Sequence, residues 1–306
     1  MAETGPPKRI VRPIASAKKV ALPPTRTVIS KPAKTFSVGT GQGRKMGEKI
    51  LIYADTGMGK STLASMAPDP IFIDPDNGCT DLINPTTGTK VKRVQDENGN
   101  PPSDFDDIRS ALHDFSLYDD RETVVLDNAT VIQDAAVPYM LATIPNDKGT
   151  LMKNIVAYGY NKGYQHLYDT MKLILQDCDM LCQRGKNVII IAQSAPNKVS
   201  NPGGEDYLRE GPRLYSSKDA NIEALYCEWA SHILRIDYQG VWAGKDKKAT
   251  GDTTRIIYTQ PEVHFRAKSR ILANGTNLEP IISFSEPSDD SLWKFLFPGK
   301  VDNANN

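Results

Sequence analysis

The chain has 306 residues, of which 39% are hydrophobic and 24% charged, and its 37 basic side chains balance 37 acidic ones. This length and composition allow one sizeable α/β core, while the zero net charge favours no class of partner. No apolar run approaches the ~18 to 20 residues of a membrane helix, and the N-terminus lacks the apolar core of a signal peptide. The sequence therefore predicts a cytoplasmic protein without membrane contact, and its four scattered cysteines exclude a disulfide framework.

The first 47 residues differ in composition from the rest of the chain. Their ten Lys and Arg side chains lie among prolines, alanines and threonines, and Glu3 is the only acid. Such a segment cannot bury enough apolar surface to offset the entropy lost on ordering. We expect a disordered basic arm over 1–47, which either contacts nucleic-acid phosphates or serves as a solubilising or partner-docking tail. A short disordered tail is expected over 299–306.

A phosphate-binding loop is predicted after the first buried strand, Ile50–Tyr53. The chain matches the pattern G-x-x-x-x-G-K-[ST] except that Ala54 replaces the first glycine, a small change that alanine can accommodate. Backbone N–H groups of the loop and the start of the following helix face the phosphates, Lys60 reaches the β- and γ-phosphates, and the Ser61 hydroxyl coordinates Mg²⁺. The alternative is a glycine turn before an ordinary amphipathic helix with a solvated lysine. The candidate residues for binding ATP are Asp55, Thr56, Gly57, Met58, Gly59, Lys60, Ser61 and Thr62.

Acidic residues follow the next two predicted strands. Asp74 and Asp76 come after Ile71–Ile73, and Asp127 closes the apolar run that begins at Thr123. The carboxyl ends of strands in open α/β sheets line the ligand crevice, so Asp76, ahead of Asp74, is predicted to polarise the attacking water. The alternative is that these two carboxylates only cap or shape a turn. Asp127 is predicted to hold Mg²⁺, directly or through water.

Helices are predicted on both sides of this third strand. Apolar residues recur at three- and four-residue steps over about Ser103–Tyr118 and over Lys162–Arg184. Two cysteines lie one turn apart in the second helix without a histidine pair, which favours a reduced apolar face over a metal site. The intervening segment 135–161 has mixed character, and an aromatic cluster, Tyr158, Tyr160 and Tyr164, extends from it into the second helix.

The fourth predicted strand, Asn187–Ala192, ends at Gln193. This amide could contact the γ-phosphate or its water and signal to the next loop, or it could simply cap the strand. Ser194–Lys218 has no periodicity and is predicted to be a loop that forms a nucleotide-gated binding surface. A helix at Asp219–Trp229 and a hairpin-rich edge complete the sheet. The predicted edge strands are His232–Tyr238, Arg255–Gln260, Val263–Ala267 and Ile281–Phe284.

The order of these motifs resembles the RecA-like core, and more closely the compact phage-encoded ATPases of single-strand annealing and recombination systems. The resemblance covers about residues 48–298 and implies an α/β fold: a mostly parallel sheet with helices on both faces and antiparallel C-terminal edge strands. The matching segments are Ile52-Tyr53 with Gly57-Met58-Gly59-Lys60-Ser61, Phe72-Ile73-Asp74-Pro75-Asp76-Asn77-Gly78, Val124-Val125-Leu126-Asp127, Ile189-Ile190-Ile191-Ala192-Gln193 and Ala267-Lys268-Ser269-Arg270.

The resemblance also implies roles for single residues. Asp76 takes the place of the catalytic base, which is often glutamate in the family, Asp127 that of the Mg²⁺ acid and Gln193 that of the γ-phosphate sensor. Lys268 and Arg270 match basic residues that reach the neighbouring subunit's nucleotide and stabilise phosphoryl transfer there. The alternative for these two is a solvated basic strand end.

These inferences predict a DNA-dependent ATPase, converting ATP and water to ADP and phosphate with Mg²⁺, that acts on single-stranded DNA in phage recombination, annealing or replication. It would assemble into a ring or filament with nucleotide between subunits, and a single-strand-binding or other replication protein is a further expected partner. The DNA would meet a basic groove, the Ser194–Lys218 loop, the aromatics and the basic arm, unless the aromatics belong to the core. The alternative is a nucleotide-switched adaptor or loader that binds a protein. A small-molecule kinase is disfavoured because no arginine-rich lid follows the long helix.

Overall fold

A sheet of nine strands forms the centre of the described residues. The computed structural model describes residues 46–240, 242–243, 249–250, 254–272, 275–284 and 286–298. Within these ranges, no helix has the length and apolar character needed to cross a membrane. Apart from Met46 and Gly47, the predicted basic arm lies outside the described residues, as does the predicted tail.

The strand order runs β11-β10-β7-β1-β5-β4-β2-β3, with β6 paired to β5 and a separate pair formed by β8 and β9. The strands are β1 (Lys49–Ala54), β2 (Pro70–Ile73), β3 (Lys92–Arg93), β4 (Thr123–Asp127), β5 (Asn187–Val199), β6 (Tyr207–Pro212), β7 (His232–Tyr238), β8 (Trp242–Ala243), β9 (Ala249–Thr250), β10 (Arg255–Tyr258) and β11 (Ile281–Phe284). Strand β1 pairs in parallel with both β5 and β7, whereas β10 and β11 are antiparallel additions at one edge. The predicted α/β fold class is confirmed.

Helices cover both faces of the sheet. One apolar cluster packs the sheet against the second to fifth helices, and another packs the opposite face against the first and last. The helices are α1 (Lys60–Ser65), α2 (Phe105–His113), α3 (Ala129–Thr143), α4 (Lys162–Gln183), α5 (Ile222–Trp229) and α6 (Ser291–Leu296). Strands covered on both faces need apolar residues at successive positions, which explains the run from Ile50 to Ala54, all fully buried.

Local sequence accounts for where several helices begin and end. The side chains of Asp104 and Asn128 accept hydrogen bonds from the backbone N–H groups of Asp107 and Val131, which starts α2 and α3. Gly185, with φ of +82°, follows α4 where the chain turns towards β5. Helix α3 therefore begins directly after β4, and α4 ends shortly before β5.

Four segments differ from the sequence prediction. Residues 135–143, predicted as mixed, continue helix α3, whose internal Pro138 and weak amphipathicity hide it in the sequence. The predicted loop after Gln193 is instead an antiparallel ribbon of β5 and β6, called the β5–β6 ribbon below. Val263–Ala267 is not a strand, since Phe265 makes only isolated bridges. The helix predicted over Ser103–Tyr118 ends at His113 and gives way to a short 3₁₀ turn.

Candidate functional site

The phosphate loop connects β1 to α1 at the carboxyl edge of the sheet. Gly57 and Gly59 have φ of +81° and +84°, a region that side-chain-bearing residues rarely adopt. A Cβ on Gly59 would also lie 2.4 Å from Nη1 of Arg255. Ala54, in contrast, continues β1 and pairs with Gln193, so this position does not require the glycine of the usual pattern.

The Lys60 ammonium lies beneath this loop. Its Nζ donates hydrogen bonds to the carbonyl oxygens of Ala54 (3.1 Å) and Asp55 (2.8 Å) and to Oε1 of Gln193 (3.1 Å). Burial lowers the pKa of Lys60, and the charges of Asp127 and Asp55 oppose that shift. Because all three hydrogen-bond acceptors are neutral, a phosphate group would offer this buried cation a stronger partner. The loop therefore fits a nucleotide.

Ser61 and Asp127, the two residues predicted to hold Mg²⁺, lie together at the tip of β4. The Ser61 hydroxyl donates to Oδ2 of Asp127, and the Cys79 thiol donates to the same oxygen at 3.3 Å. Burial raises the pKa of Asp127, while these two hydrogen bonds oppose the shift. Hydroxyl and carboxylate oxygens are ligands that suit Mg²⁺.

Ser61 and Asp127 would share Mg²⁺ with phosphate oxygens and water. In the part of the chain that the structure describes, no group of three or more His, Cys, Asp or Glu side chains could hold a metal alone. Such a shared site is usual for Mg²⁺ beside a nucleotide, where the cation neutralises charge on the β- and γ-phosphates.

The two acidic residues after β2 have different environments. Asp74 is 1% exposed, and its carboxylate accepts hydrogen bonds from the N–H groups of Gly78 (3.0 Å) and Cys79 (2.8 Å) and pairs with Arg93 (3.2 Å). Asp76 is exposed at the surface of the turn. The pKa of Asp76 is raised, first by loss of solvent around its carboxyl group and then by its hydrogen bond with Asp74. Asp74 thus holds the turn, whereas Asp76 is available to a water molecule.

Gln193 connects the phosphate loop to the β5–β6 ribbon. Its Oε1 accepts hydrogen bonds from Lys60 and, at 3.3 Å, from the Thr56 hydroxyl. Its backbone N–H donates to the Thr130 hydroxyl at 3.3 Å, and its carbonyl oxygen accepts from the N–H of Arg213 at 2.7 Å. One residue therefore contacts the nucleotide site through its side chain and the base of the ribbon through its backbone.

The two predicted trans-acting residues lie elsewhere. The Lys268 ammonium donates to the carbonyl oxygens of Cys227 (2.9 Å) and Glu228 (3.3 Å) at the end of α5. Burial lowers the pKa of Lys268, and the nearby charge of Arg270 lowers it further. Arg270 is exposed. Among the described residues, neither side chain contacts the phosphate loop of its own chain.

Three residues that contact this site were missed in the sequence. Cys79 binds the predicted metal acid, Thr130 supports the backbone of Gln193, and Arg255 donates to the Met58 carbonyl oxygen at 3.3 Å. No local motif marks any of them, because each reaches the site through tertiary contacts. Only the position of Thr130, shortly after the tip of β4, could have suggested its role.

Comparison with known proteins matches residues 46–271 of the chain to the family described as AAA domain. The chain belongs to the AAA domain family. Among solved structures, this AAA domain is similar to a KaiC-like protein from the hyperthermophilic archaeon Pyrococcus horikoshii. The two are 14% identical, with a TM-score of 0.40, and the match covers 78% of this chain and 90% of that chain. No curated protein matches the sequence.

Family membership and the phosphate loop agree in what they imply. The AAA domain is a P-loop ATPase, and its family implies that it binds nucleotide and, as such proteins usually do, Mg²⁺. Lys60 and the loop backbone would hold the β- and γ-phosphates, while Ser61 and Asp127 would hold the metal. These residues converge at one edge of the sheet, as the motif order predicted.

Proposed function

We propose that this AAA domain is a single-stranded-DNA-dependent ATPase that acts in phage recombination, annealing or replication. It would work where ATP and DNA are both available, in the cytoplasm of a bacterial cell. The observation that carries the proposal is the position of Gln193, whose side chain accepts from Lys60 while its backbone holds the base of the β5–β6 ribbon. A γ-phosphate that takes over the Lys60 ammonium frees the Gln193 amide, and the ribbon adjoins that residue.

The DNA surface that we propose includes the turn at Tyr160, beside the end of the ribbon. Tyr160 is fully exposed, and with Asn161 it has positive φ, of +46° and +60°. Tyr158 is buried and Tyr164 stacks on Tyr215 at 4.4 Å between ring centroids, so Tyr160 is the member of the aromatic cluster that is available to a base. Stacking on an exposed ring is tolerant of base identity.

Basic side chains near Tyr160 support its place in the proposed DNA surface. A shallow cavity of 210 Å³ is lined by Tyr160 together with basic and polar side chains. Its other lining residues are Asn146, Asp147, Lys148, Tyr158, Lys162 and His166. Lys162 pairs with Asp147, whereas Lys148 is exposed and can approach a phosphate. Asn161 in turn donates to Asp219 at 3.2 Å, which ties this turn to the segment that follows the ribbon.

We also propose that the protein assembles with copies of itself into a ring or filament. The exposed Arg270 is the residue that we expect to reach the neighbouring subunit's nucleotide. Lys268, bound to the end of α5, would have to leave two carbonyl oxygens to do so. A charge supplied across the interface would make hydrolysis depend on assembly, and a single-strand-binding protein is a further proposed partner.

A second candidate, a nucleotide-switched adaptor or loader, is favoured by one observation. Leu208 on the ribbon and Val263 beside it are 63% and 72% exposed, and Arg209 donates to the Val263 carbonyl oxygen at 3.3 Å. Neighbouring exposed apolar side chains are typical of a surface that contacts a protein. In this alternative, the nucleotide would control a protein partner through the same ribbon.

Steady-state ATP hydrolysis with and without single-stranded DNA separates the two candidates. We expect DNA to raise the rate several-fold in the intact chain, and we expect Lys60→Ala to abolish hydrolysis in both conditions. Lys90→Ala is the matched control, since Lys90 is a surface lysine paired with Asp81 at 2.8 Å. Nucleotide binding with slow turnover that DNA does not change would refute the DNA proposal and favour the adaptor.

A further inference from the structure

Arg255 approaches the phosphate loop from the side opposite to the metal residues. It is the first residue of β10, and because β10 runs antiparallel to β7, this end lies at the carboxyl edge of β1 and β7. Its Nη1 donates to the carbonyl oxygen of Met58 at 3.3 Å and lies where a Cβ on Gly59 would project. The absent side chain of Gly59 therefore leaves the space that this guanidinium occupies.

The charge of Arg255 has no acidic partner among the described residues. Its guanidinium lies over the ring of Phe284, 4.6 Å from the centroid, and the hydrogen-bond acceptor that it contacts within these ranges is the neutral Met58 carbonyl. A guanidinium carries several N–H donors in a planar fork, and the described part of the chain engages one of them, through Met58. Removing a cation partly from water is unfavourable unless an anion compensates. The geometry therefore indicates an anionic ligand at this side of the loop.

Strand order identifies which part of a nucleotide would lie there. Asp127 and Gln193 belong to β4 and β5 on one side of β1, so the metal and the γ-phosphate lie towards that side. Arg255 comes from β10, beyond β7 on the other side of β1. A phosphate chain bound along the loop thus directs its α-phosphate and nucleoside towards Arg255.

We propose that Arg255 binds the α-phosphate of the nucleotide held in its own subunit. It would act on affinity and not on the cleavage step, because the bond that breaks lies at the other end of the phosphate chain. This inference rests on nucleotide binding at the phosphate loop and is independent of the proposed DNA role.

Titration of ADP and of a non-hydrolysable ATP analogue, both with Mg²⁺, tests the assignment in the full chain. Arg255→Gln keeps a donor for the Met58 carbonyl but removes the charge. We expect it to raise the Kd of both nucleotides alike, on the order of tenfold, as for loss of a charge-assisted hydrogen bond. The KM for ATP should rise by the same factor, and kcat should stay within about twofold of the wild-type value. The lost contact would stabilise the bound substrate and the transition state equally.

Arg184→Gln is the matched control, because Arg184 also lies over an aromatic ring, that of Phe115 at 3.6 Å, but at the opposite edge of the sheet. It should leave both Kd values unchanged. If Arg255→Gln lowers the Tm of the nucleotide-free protein, Arg255→Lys shows whether the lost affinity comes from the lost charge. This variant keeps a positive charge at the position, and recovery of most of the nucleotide affinity supports the contact. The assignment is overturned if Arg255→Gln binds both nucleotides with wild-type affinity, or if Arg255→Lys recovers none of the lost affinity. It is also overturned if Arg255→Gln weakens binding of the ATP analogue but not of ADP and slows turnover.

Discussion

The corner formed by Ser61, Cys79 and Asp127, where we expect Mg²⁺, and the turn at Tyr160 lie beside the same sheet but are built in different ways. In the corner, Ser61 and Cys79 both donate to the buried carboxylate of Asp127. At the turn, Tyr160 has a fully exposed ring. Chemistry that stabilises developing charge needs groups held in advance, whereas a stacking surface needs only an accessible ring. We therefore expect substitutions in the corner to affect turnover strongly and those at the turn to affect DNA affinity moderately.

The largest effect is expected for Asp127→Asn. Losing a carboxylate that holds Mg²⁺ removes several kcal/mol of transition-state stabilisation, so kcat should fall roughly 10³-fold. Asn can still accept the hydrogen bonds of Ser61 and Cys79. Because burial raises the pKa of Asp127 when the chain folds, its ionisation costs stability at neutral pH, and the nucleotide-free variant should have a Tm at or above that of the wild type.

Steady-state ATP hydrolysis checks the fall in kcat, and thermal melts with and without MgADP check the stability and the metal contact. Asp177→Asn is the matched control, because Asp177 is a buried carboxylate outside the site that pairs with Arg109 at 2.7 Å and with His113 at 2.8 Å. The control should lower Tm, since it leaves Arg109 without its anion. A lower Tm in nucleotide-free Asp127→Asn would contradict the argument from burial. Undiminished stabilisation by MgADP would contradict the metal assignment.

A smaller loss of turnover is expected for Asp76→Asn. Removing a general base costs about 10²-fold, and nucleotide affinity should be unchanged. Since the pKa of Asp76 is raised, activity should begin to fall on acidification at a higher pH than an ordinary aspartate would give, because the base must be deprotonated. A pH–rate profile of kcat at saturating ATP measures this.

Asp74→Asn gives the comparison within the same turn. Asp74 accepts two backbone N–H groups and pairs with Arg93, so its substitution should lower Tm. Because Asp74 also helps to raise the pKa of Asp76, the acid limb of the folded fraction's activity should move towards lower pH in this variant, with kcat at neutral pH retained. If Asp74→Asn lowers kcat of the folded fraction about 10²-fold and Asp76→Asn leaves kcat intact, the roles of the two residues must be exchanged.

The smallest effect is expected for Tyr160→Ala. Loss of one base–aromatic stack should weaken single-stranded DNA binding about five- to tenfold, with ATP hydrolysis in the absence of DNA unchanged. Phe295→Ala is a suitable control, since Phe295 is a half-exposed aromatic on α6, which packs on the opposite face of the sheet. Fluorescence anisotropy of a labelled oligonucleotide measures both. Equal DNA affinity in the wild type, Tyr160→Ala and Phe295→Ala would remove Tyr160 from the proposed surface.

Features encoded by neighbouring residues were predictable from the sequence. The phosphate loop needs positive φ at Gly59 and a lysine directly after it, and a short motif records both requirements, whereas Gly57 lies at a position that the motif leaves open. Helix α4 was predictable because its buried residues repeat with helical spacing. The sequence did not reveal the β5–β6 ribbon or helix α3, since pairing partners and packing, more than local periodicity, decide them.

The sequence by itself determined that this chain has a phosphate loop, a mostly parallel sheet and acidic residues at the strand tips. Only the tertiary structure decided which of the two acids after β2 is exposed and which cation lies beside the phosphate loop. Asp74 is engaged by Arg93, 19 residues away, and Arg255 reaches Met58 across 197 residues. A motif is read within one stretch of backbone, whereas contacts across the sheet depend on strand order, and strand order follows from the packing of the whole chain.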